Sequence, residues 1–392
     1  MSSAVSGWSD TRKRLCVLTV LLAAAASGMM QTFLTVSLPT ATAELDAVAW
    51  YGWIAGIYLV TATAFIPPWA ILSDRIGPRT VHVAGMALWA LGTFAVSLAD
   101  SISWLLMARA FQGIGAAAVV PAGFGAITAV YHDRYGRLIG LLGSVQAGVT
   151  LAGGPLGGWL GTWLGWRASL QAVAVFAVLP ILLGWFTLPS RSGPPARTEP
   201  ARLLTSTAAR RAVAQTMLLA VIAFGLSSFL PLLLQFQFRL DLARTAVLTT
   251  PTLLGVAIGS AVGGIIAERR DTTPIAWGIV LAGVLLAGVP FVAAATIGSA
   301  FAAAGVGFGL PSQLIAAERV ATAAHASKAG GLIQGARNIG GAIGVAVLGI
   351  PLQLGATPAA GARSAYALML GLAGLAAITT ALVAGRHRRD EQ

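Results

Sequence analysis

The sequence predicts an all-α membrane protein of twelve transmembrane helices, folded as two pseudo-symmetric six-helix bundles around a central cavity. Three observations carry that expectation: an extreme shortage of charge, a series of apolar runs long enough to cross a bilayer, and positive charge clustered in every second connection between them.

Hydrophobic residues make up 57% of the 392 and charged residues only 10%, with a mean hydropathy of +0.81. A soluble domain carries about 25% charged residues, so this chain could not cover a water-facing surface. The net charge of +12 raises nucleic acid as a partner, since such proteins carry a basic patch. Here the cations sit in short clusters between apolar runs, which argues for no nucleic acid and for the lipid bilayer as the surroundings. The single cysteine, Cys16, lies inside the first apolar run, where no intrachain disulfide can form, and reads as a small packing residue. Arg12-Lys13-Arg14 and the apolar stretch after it have the form of a signal peptide. That stretch continues to Leu38, too long for such a segment, and predicts an uncleaved first helix.

The apolar runs cover residues 15–38, 50–72, 81–98, 104–124, 138–159 and 168–188, then 212–232, 247–267, 275–293, 297–317, 332–352 and 366–384. The boundary at Thr296 is the weakest, because almost nothing polar separates the ninth run from the tenth. With a cytoplasmic N-terminus, nineteen of the 25 Lys and Arg fall on the inside. Arg167, Arg239, Arg244 and Arg363 fall outside, and Arg109 and Arg337 fall within helices. The positive-inside rule therefore predicts a multi-pass protein of the cell (inner) membrane with both termini cytoplasmic. Residues 1–190 form the first half and 212–392 the second. The polar segment 191–211, with Pro194-Pro195, Pro200 and five arginines, is the cytoplasmic linker. The halves echo each other: Ser73-Asp74-Arg75 follows the second run, and Ala267-Glu268-Arg269 follows the eighth.

Four segments carry more than hydropathy. Ala70-Ile71-Leu72-Ser73-Asp74-Arg75-Ile76-Gly77-Pro78-Arg79 joins the second and third runs; Gly77 permits a sharp turn, and Asp74 can accept from a helix N-terminus or pair with Arg75 and Arg79. Arg109-Ala110-Phe111-Gln112-Gly113-Ile114-Gly115 lies in the fourth run. An arginine there costs at least about 2.5–3.5 kcal/mol on insertion scales, so it needs a partner, a wet cavity or reach to the headgroups. In the fifth run, Gly148 is followed by Gly153-Gly154-Pro155-Leu156-Gly157-Gly158, whose small residues allow close helix approach and whose proline bends the helix. In the eleventh run stands Gly331-Leu332-Ile333-Gln334-Gly335-Ala336-Arg337-Asn338-Ile339-Gly340-Gly341.

Together these segments resemble the major facilitator superfamily, in particular its drug-efflux (drug/proton antiporter) branch, in a twelve-helix form. The resemblance implies a secondary transporter that exports hydrophobic or amphipathic small molecules by alternating access. It would be a monomer with protons as coupling ion, without cofactor or metal. Asp74, Arg75, Gly77 and Arg79 would form the conformational gate, and Gly148, Gly154, Pro155, Gly157 and Gly158 the antiporter-like motif. The expected cavity, lined by helices 1, 2, 4 and 5 and by 7, 8, 10 and 11, draws on Gln31, Trp53, Tyr58, Arg109, Gln112, Ser227, Gln235, Gln313, Gln334 and Asn338.

Departures from the pattern also matter. Ala70 replaces a usual glycine and Pro78 a usual basic residue. Met30 stands where that branch carries an aspartate in its first helix, and none of the thirteen acidic residues lies deep in an apolar run. The residues themselves therefore do not supply a buried carboxylate for proton coupling, and Arg109 would bias a cavity toward neutral or anionic ligands. Two other readings stay open: an uptake or facilitative carrier for a small, anionic metabolite, and a non-transporting membrane sensor. Enzyme chemistry is not expected, because no nucleophile elbow, metal-ligand spacing or phosphate-cradling Gly-rich loop with a lysine occurs.

Overall fold

A computed structural model describes residues 8–131, 135–190, 206–267, 269–320, 326–355 and 357–390. Among these residues the structure is helical throughout and contains no strand. The helices are α1 (Asp10–Glu44), α2 (Tyr51–Ala64), α3 (Ile66–Ile76), α4 (Pro78–Ser97), α5 (Ile102–Val130), α6 (Tyr135–Phe176) and α7 (Val178–Thr187). Further along the chain follow α8 (Thr207–Phe236), α9 (Leu242–Ala267), α10 (Thr273–Ala287), α11 (Val292–Val320), α12 (Ala326–Leu354) and α13 (Pro358–Asp390). Ten helical stretches among the described residues are long and apolar enough to cross a membrane. One of them, Ala152–Thr187, runs through Gly165, whose φ of 76° is not helical, and the apolar Thr273–Ala287 is shorter.

Three expected boundaries move, each for a local reason. The second run is two helices that meet at Phe65, because Pro67 and Pro68 have no N–H to give to the preceding turn and instead start α3. The fifth and sixth runs meet at Gly165, whose left-handed backbone turns the chain where only glycine is unstrained. Between the ninth and tenth runs the break falls after Gly288, at Pro290, and Thr296 lies inside α11. Thr296 Oγ1 donates to the Val292 carbonyl 2.9 Å away, so this polar residue satisfies itself within the helix and marks no loop.

The chain folds as two compact units, Met1–Ser37 with Ile57–Arg197, and Leu38–Gly56 with Thr198–Gln392. In the first unit, small residues bring helix backbones together. A Cβ on Gly115 would strike the backbone of Trp89, and one on Gly92 would lie 2.7 Å from Gln112, which locks α4 onto α5. Cys16 and Val20 of α1 pack with Ala126, Ile127 and Leu188. In the second unit, Gly255, Gly259 and Gly263 repeat every fourth residue along α9 and receive Ala300, Ala304 and Phe308 of α11. Gly340 and Gly344 of α12 admit Met217 and Val221 of α8 in the same way. Also in this unit, the Tyr51 hydroxyl donates to the Ser228 carbonyl, and its ring centroid lies 5.8 Å from that of Phe229.

Candidate functional site

The polar centre of the first unit is built on α5. Arg109 is only 3% exposed, and Nη1 donates to Oε1 of Gln112 one turn later. Gln112, fully buried, passes the bond on: Nε2 donates to Thr93 Oγ1 at 2.8 Å, and Thr93 donates to the Trp89 carbonyl at 2.8 Å, both in α4. The guanidinium carbon stands 4.2 Å from the centre of the Tyr58 ring in α2, a cation–π contact. Three expected cavity residues, Tyr58, Arg109 and Gln112, therefore form one cluster, and the cation is satisfied inside the protein. Gly113 allows this approach, since a Cβ there would strike Thr61 and the Tyr58 carbonyl. Thr93 and Trp89 belong to the network too. Neither is legible in the sequence, because a threonine and a tryptophan in an apolar helix carry no marker of a distant amide.

Gln31 is half-buried in α1, and Thr35 Oγ1 donates to its backbone carbonyl at 2.8 Å. The glycine motif of α6 seats against this helix. Gly153 would place a Cβ 2.5 Å from Thr32 Oγ1, and Gly157 would place one 2.9 Å from the Phe33 Cα. Gly154 and Gly158 are buried beside them and Pro155 is half-buried, whereas Gly148 is exposed with nothing within 4 Å of a Cβ.

At the α3–α4 corner, Gly77 takes φ 90° and its N–H closes on the Ser73 carbonyl at 2.9 Å. Arg79 ties this corner to the end of α7, donating from Nε to the Leu188 carbonyl at 2.9 Å and from its backbone N–H to Pro189 at 3.2 Å. Asp74 and Arg75 are exposed, and among the described residues no ion-pair partner meets either. The equivalent corner of the second unit is more tightly closed. Asp271 caps α10 by accepting from the Thr273 N–H at 2.9 Å, and Gln313 Nε2 donates to the Thr273 hydroxyl at 2.6 Å. Thr272 bonds Ser312 and the Phe308 carbonyl. Gln313, expected in the cavity, is thus engaged with α10.

The remaining candidates belong to the second unit. Trp53 of α2 is 45% exposed. Ser227 donates to the Ala223 carbonyl of its own helix, and Gln235 accepts from Thr40 at 3.0 Å. In α12, exposed Gln334 donates from Nε2 to Asn338 Oδ1 at 3.1 Å. No group of metal-binding side chains occurs among the described residues.

The sequence signature of the Major Facilitator Superfamily matches residues 20–345. Among curated proteins, the chain is 31% identical over 193 residues to the MFS-type transporter ppz2 of Metarhizium majus, covering 47% of this chain and 33% of that protein. It is 23% identical over 160 residues to the riboflavin transporter RibZ of Clostridioides difficile, covering 40% of this chain and 35% of that one. To multidrug resistance protein 3 of Bacillus subtilis it is 26% identical over 155 residues, covering 39% and 30%. The chain spans about a third of the length of these relatives. Of solved structures, a bacterial homolog to the human lysosomal transporter Spinster superposes with a TM-score of 0.83 at 18% identity, covering 95% of this chain and 96% of that one. The nucleoside transporter NupG superposes at 0.70 with 12% identity, covering 94% and 98%. These structural likenesses are of fold. Built of apolar helices on that fold and matched by the family signature over most of its length, the chain is not an enzyme and belongs to the Major Facilitator Superfamily.

Proposed function

We infer that the chain is a secondary transporter exporting hydrophobic or amphipathic small molecules by alternating access of its two halves. The observation that supports this reading is how few polar groups are left for a ligand. Gln112, Ser227, Gln235 and Gln313 already hold hydrogen bonds to neighbouring groups, and Gln334 and Asn338 bond each other on α12. A wall of that kind suits apolar ligands oriented by one or two polar contacts. Drug-efflux motifs and a multidrug-resistance relative point the same way.

Twelve crossings follow if Ala152–Thr187 is divided at Gly165 and Thr273–Ala287 is counted as a span. The positive-inside rule then puts both termini and the 191–211 linker in the cytoplasm of a cell (inner) membrane protein with halves 1–190 and 212–392. The test is flux of N-phenyl-1-naphthylamine, a neutral amphipathic dye, from proteoliposomes with and without a pH gradient. Export driven by the gradient supports a proton antiporter; equilibration in both directions at equal rate supports the facilitative carrier. No flux in either condition overturns both and leaves the membrane sensor.

A further inference from the structure

The two arginines within the spans, alike in sequence, are in opposite circumstances. Arg109 is almost wholly buried and satisfied by Gln112 and the Tyr58 ring. Arg337 of α12 is half-buried, and among the described residues no hydrogen bond, ion pair or aromatic ring meets its guanidinium. It lies in the apolar span Leu332–Leu354, about 8 Å along it at the 1.5 Å rise of a helix. A guanidinium cannot shed its charge there, and a cation within a membrane helix marks a functional position by default.

The face of α12 that carries Arg337 is equally specific. Helical spacing groups Gln334, Arg337, Asn338 and Gly341 on one side. The opposite side holds Ile339, Ile343, Val347 and Ile350, all substantially exposed apolar residues suited to lipid. Further along α12, the Gln334–Asn338 side continues into Val345 and Gly349. There it is covered by Gly52, whose Cβ position lies 2.9 Å from the Gly349 Cα. This face is thus packed at Gly349 and at Gly341, which meets the Phe224 ring of α8, and it opens only toward Gln334, which is exposed while Arg337 and Asn338 are half-buried.

We propose that Gln334, Arg337 and Asn338 form the anion-recognising subsite of the transporter, taking amphipathic ligands that carry a sulfonate, carboxylate or phosphate group. Arg337 supplies the charge and two donors in a fixed fork. Gln334 and Asn338, which now bond each other, can turn their amides to the same group. This rests on the export reading and narrows its substrate class.

The experiment uses the full chain in lipid nanodiscs, with empty nanodiscs subtracted, and two dyes that share an anilinonaphthalene body: 8-anilinonaphthalene-1-sulfonate and neutral N-phenyl-1-naphthylamine. Arg337→Gln is expected to weaken the sulfonate about tenfold, the scale of one charged hydrogen bond, with the neutral dye changed less than twofold. Arg337→Lys should restore most of the loss. Should Arg337→Gln fail to fold, Gln334→Glu keeps the arginine and sets a tethered carboxylate one turn away. It should compete with the sulfonate and weaken it alone. Equal effects on both dyes, or none on either, would overturn the subsite and make Arg337 an anchor at the membrane surface. If the neutral dye neither binds nor is moved by the wild-type protein, the export reading itself fails.

Discussion

Arg109 and Gln112, one helical turn apart in α5, hold each other so that the Gln112 amide is aimed across to Thr93 in α4. An amide that accepts from a cation with its oxygen must present its nitrogen to the other side. The pair therefore converts a membrane-buried charge into a bond between two helices. Arg109→Ala should strand the Gln112 oxygen and remove the Tyr58 contact, costing about 1.5–3 kcal/mol for a lost charged hydrogen bond. Thermal unfolding in detergent would read this as a lower midpoint, with the relative affinities of charged and neutral dyes unchanged. A change in ligand preference at unchanged stability would instead make Arg109 a ligand contact.

The glycines of α6 give a paired comparison. Gly157→Ala would push a methyl group into Phe33 of α1, an overpacking that costs about 1–3 kcal/mol. Gly148→Ala meets nothing within 4 Å and should be neutral or stabilise by about 0.5–1 kcal/mol through the helix propensity of alanine. Expression yield and melting midpoint of the two variants check the contrast, and equal behaviour would mean that α6 does not rest on α1 through this motif.

The fold was legible because membrane helices announce themselves by length and hydropathy, and the order of charges between them needs no tertiary knowledge. Gly77 was legible for a similar reason, since a turn between two helices is a local demand on the backbone. What escaped was set by partners. Gly148 and Gly157 look alike in sequence, and only the seat of α1 separates them. Arg109 and Arg337 look alike too, yet one meets a glutamine and a tyrosine ring and the other, among the described residues, meets neither. Polarity alone puts the break at Thr296, whereas it falls near Pro290. A threonine that bonds back to its own helix costs little, whereas a proline removes a donor.

Orientation can be measured on a quiet background, because Cys16 is buried among Val20, Ala126 and Leu188. Under the proposed topology, Asp100→Cys should react with an impermeant maleimide only from outside the cell. Thr80→Cys, exposed at the start of α4, should react only once the inner face is opened. Reversed labelling would invert the protein in the membrane, and labelling of both from one side would remove a span between them.

The last prediction separates the two charged members of the α3–α4 corner. Arg79 is mechanically engaged, joining this corner to the Leu188 carbonyl at the end of α7. Asp74 is exposed and has no ion-pair partner among the described residues, so replacing it removes little that the fold depends on. Asp74→Asn should therefore leave the melting midpoint nearly unchanged, within the roughly 0.5 kcal/mol expected of a surface substitution. If Asp74 gates the cycle, transport should nevertheless fall several-fold, because its carboxylate would be needed in a conformation other than the one described. Dye affinity should stay within twofold, since a gate acts on the transport cycle rather than on the bound ligand. Arg79→Ala should lower both stability and flux, by about 1 kcal/mol and several-fold respectively, because the side-chain bond to the Leu188 carbonyl is lost. The decisive measurement is flux against affinity in the Asp74→Asn variant. A loss of affinity that matches the loss of flux would place Asp74 in ligand binding, and full flux would remove it from the gate.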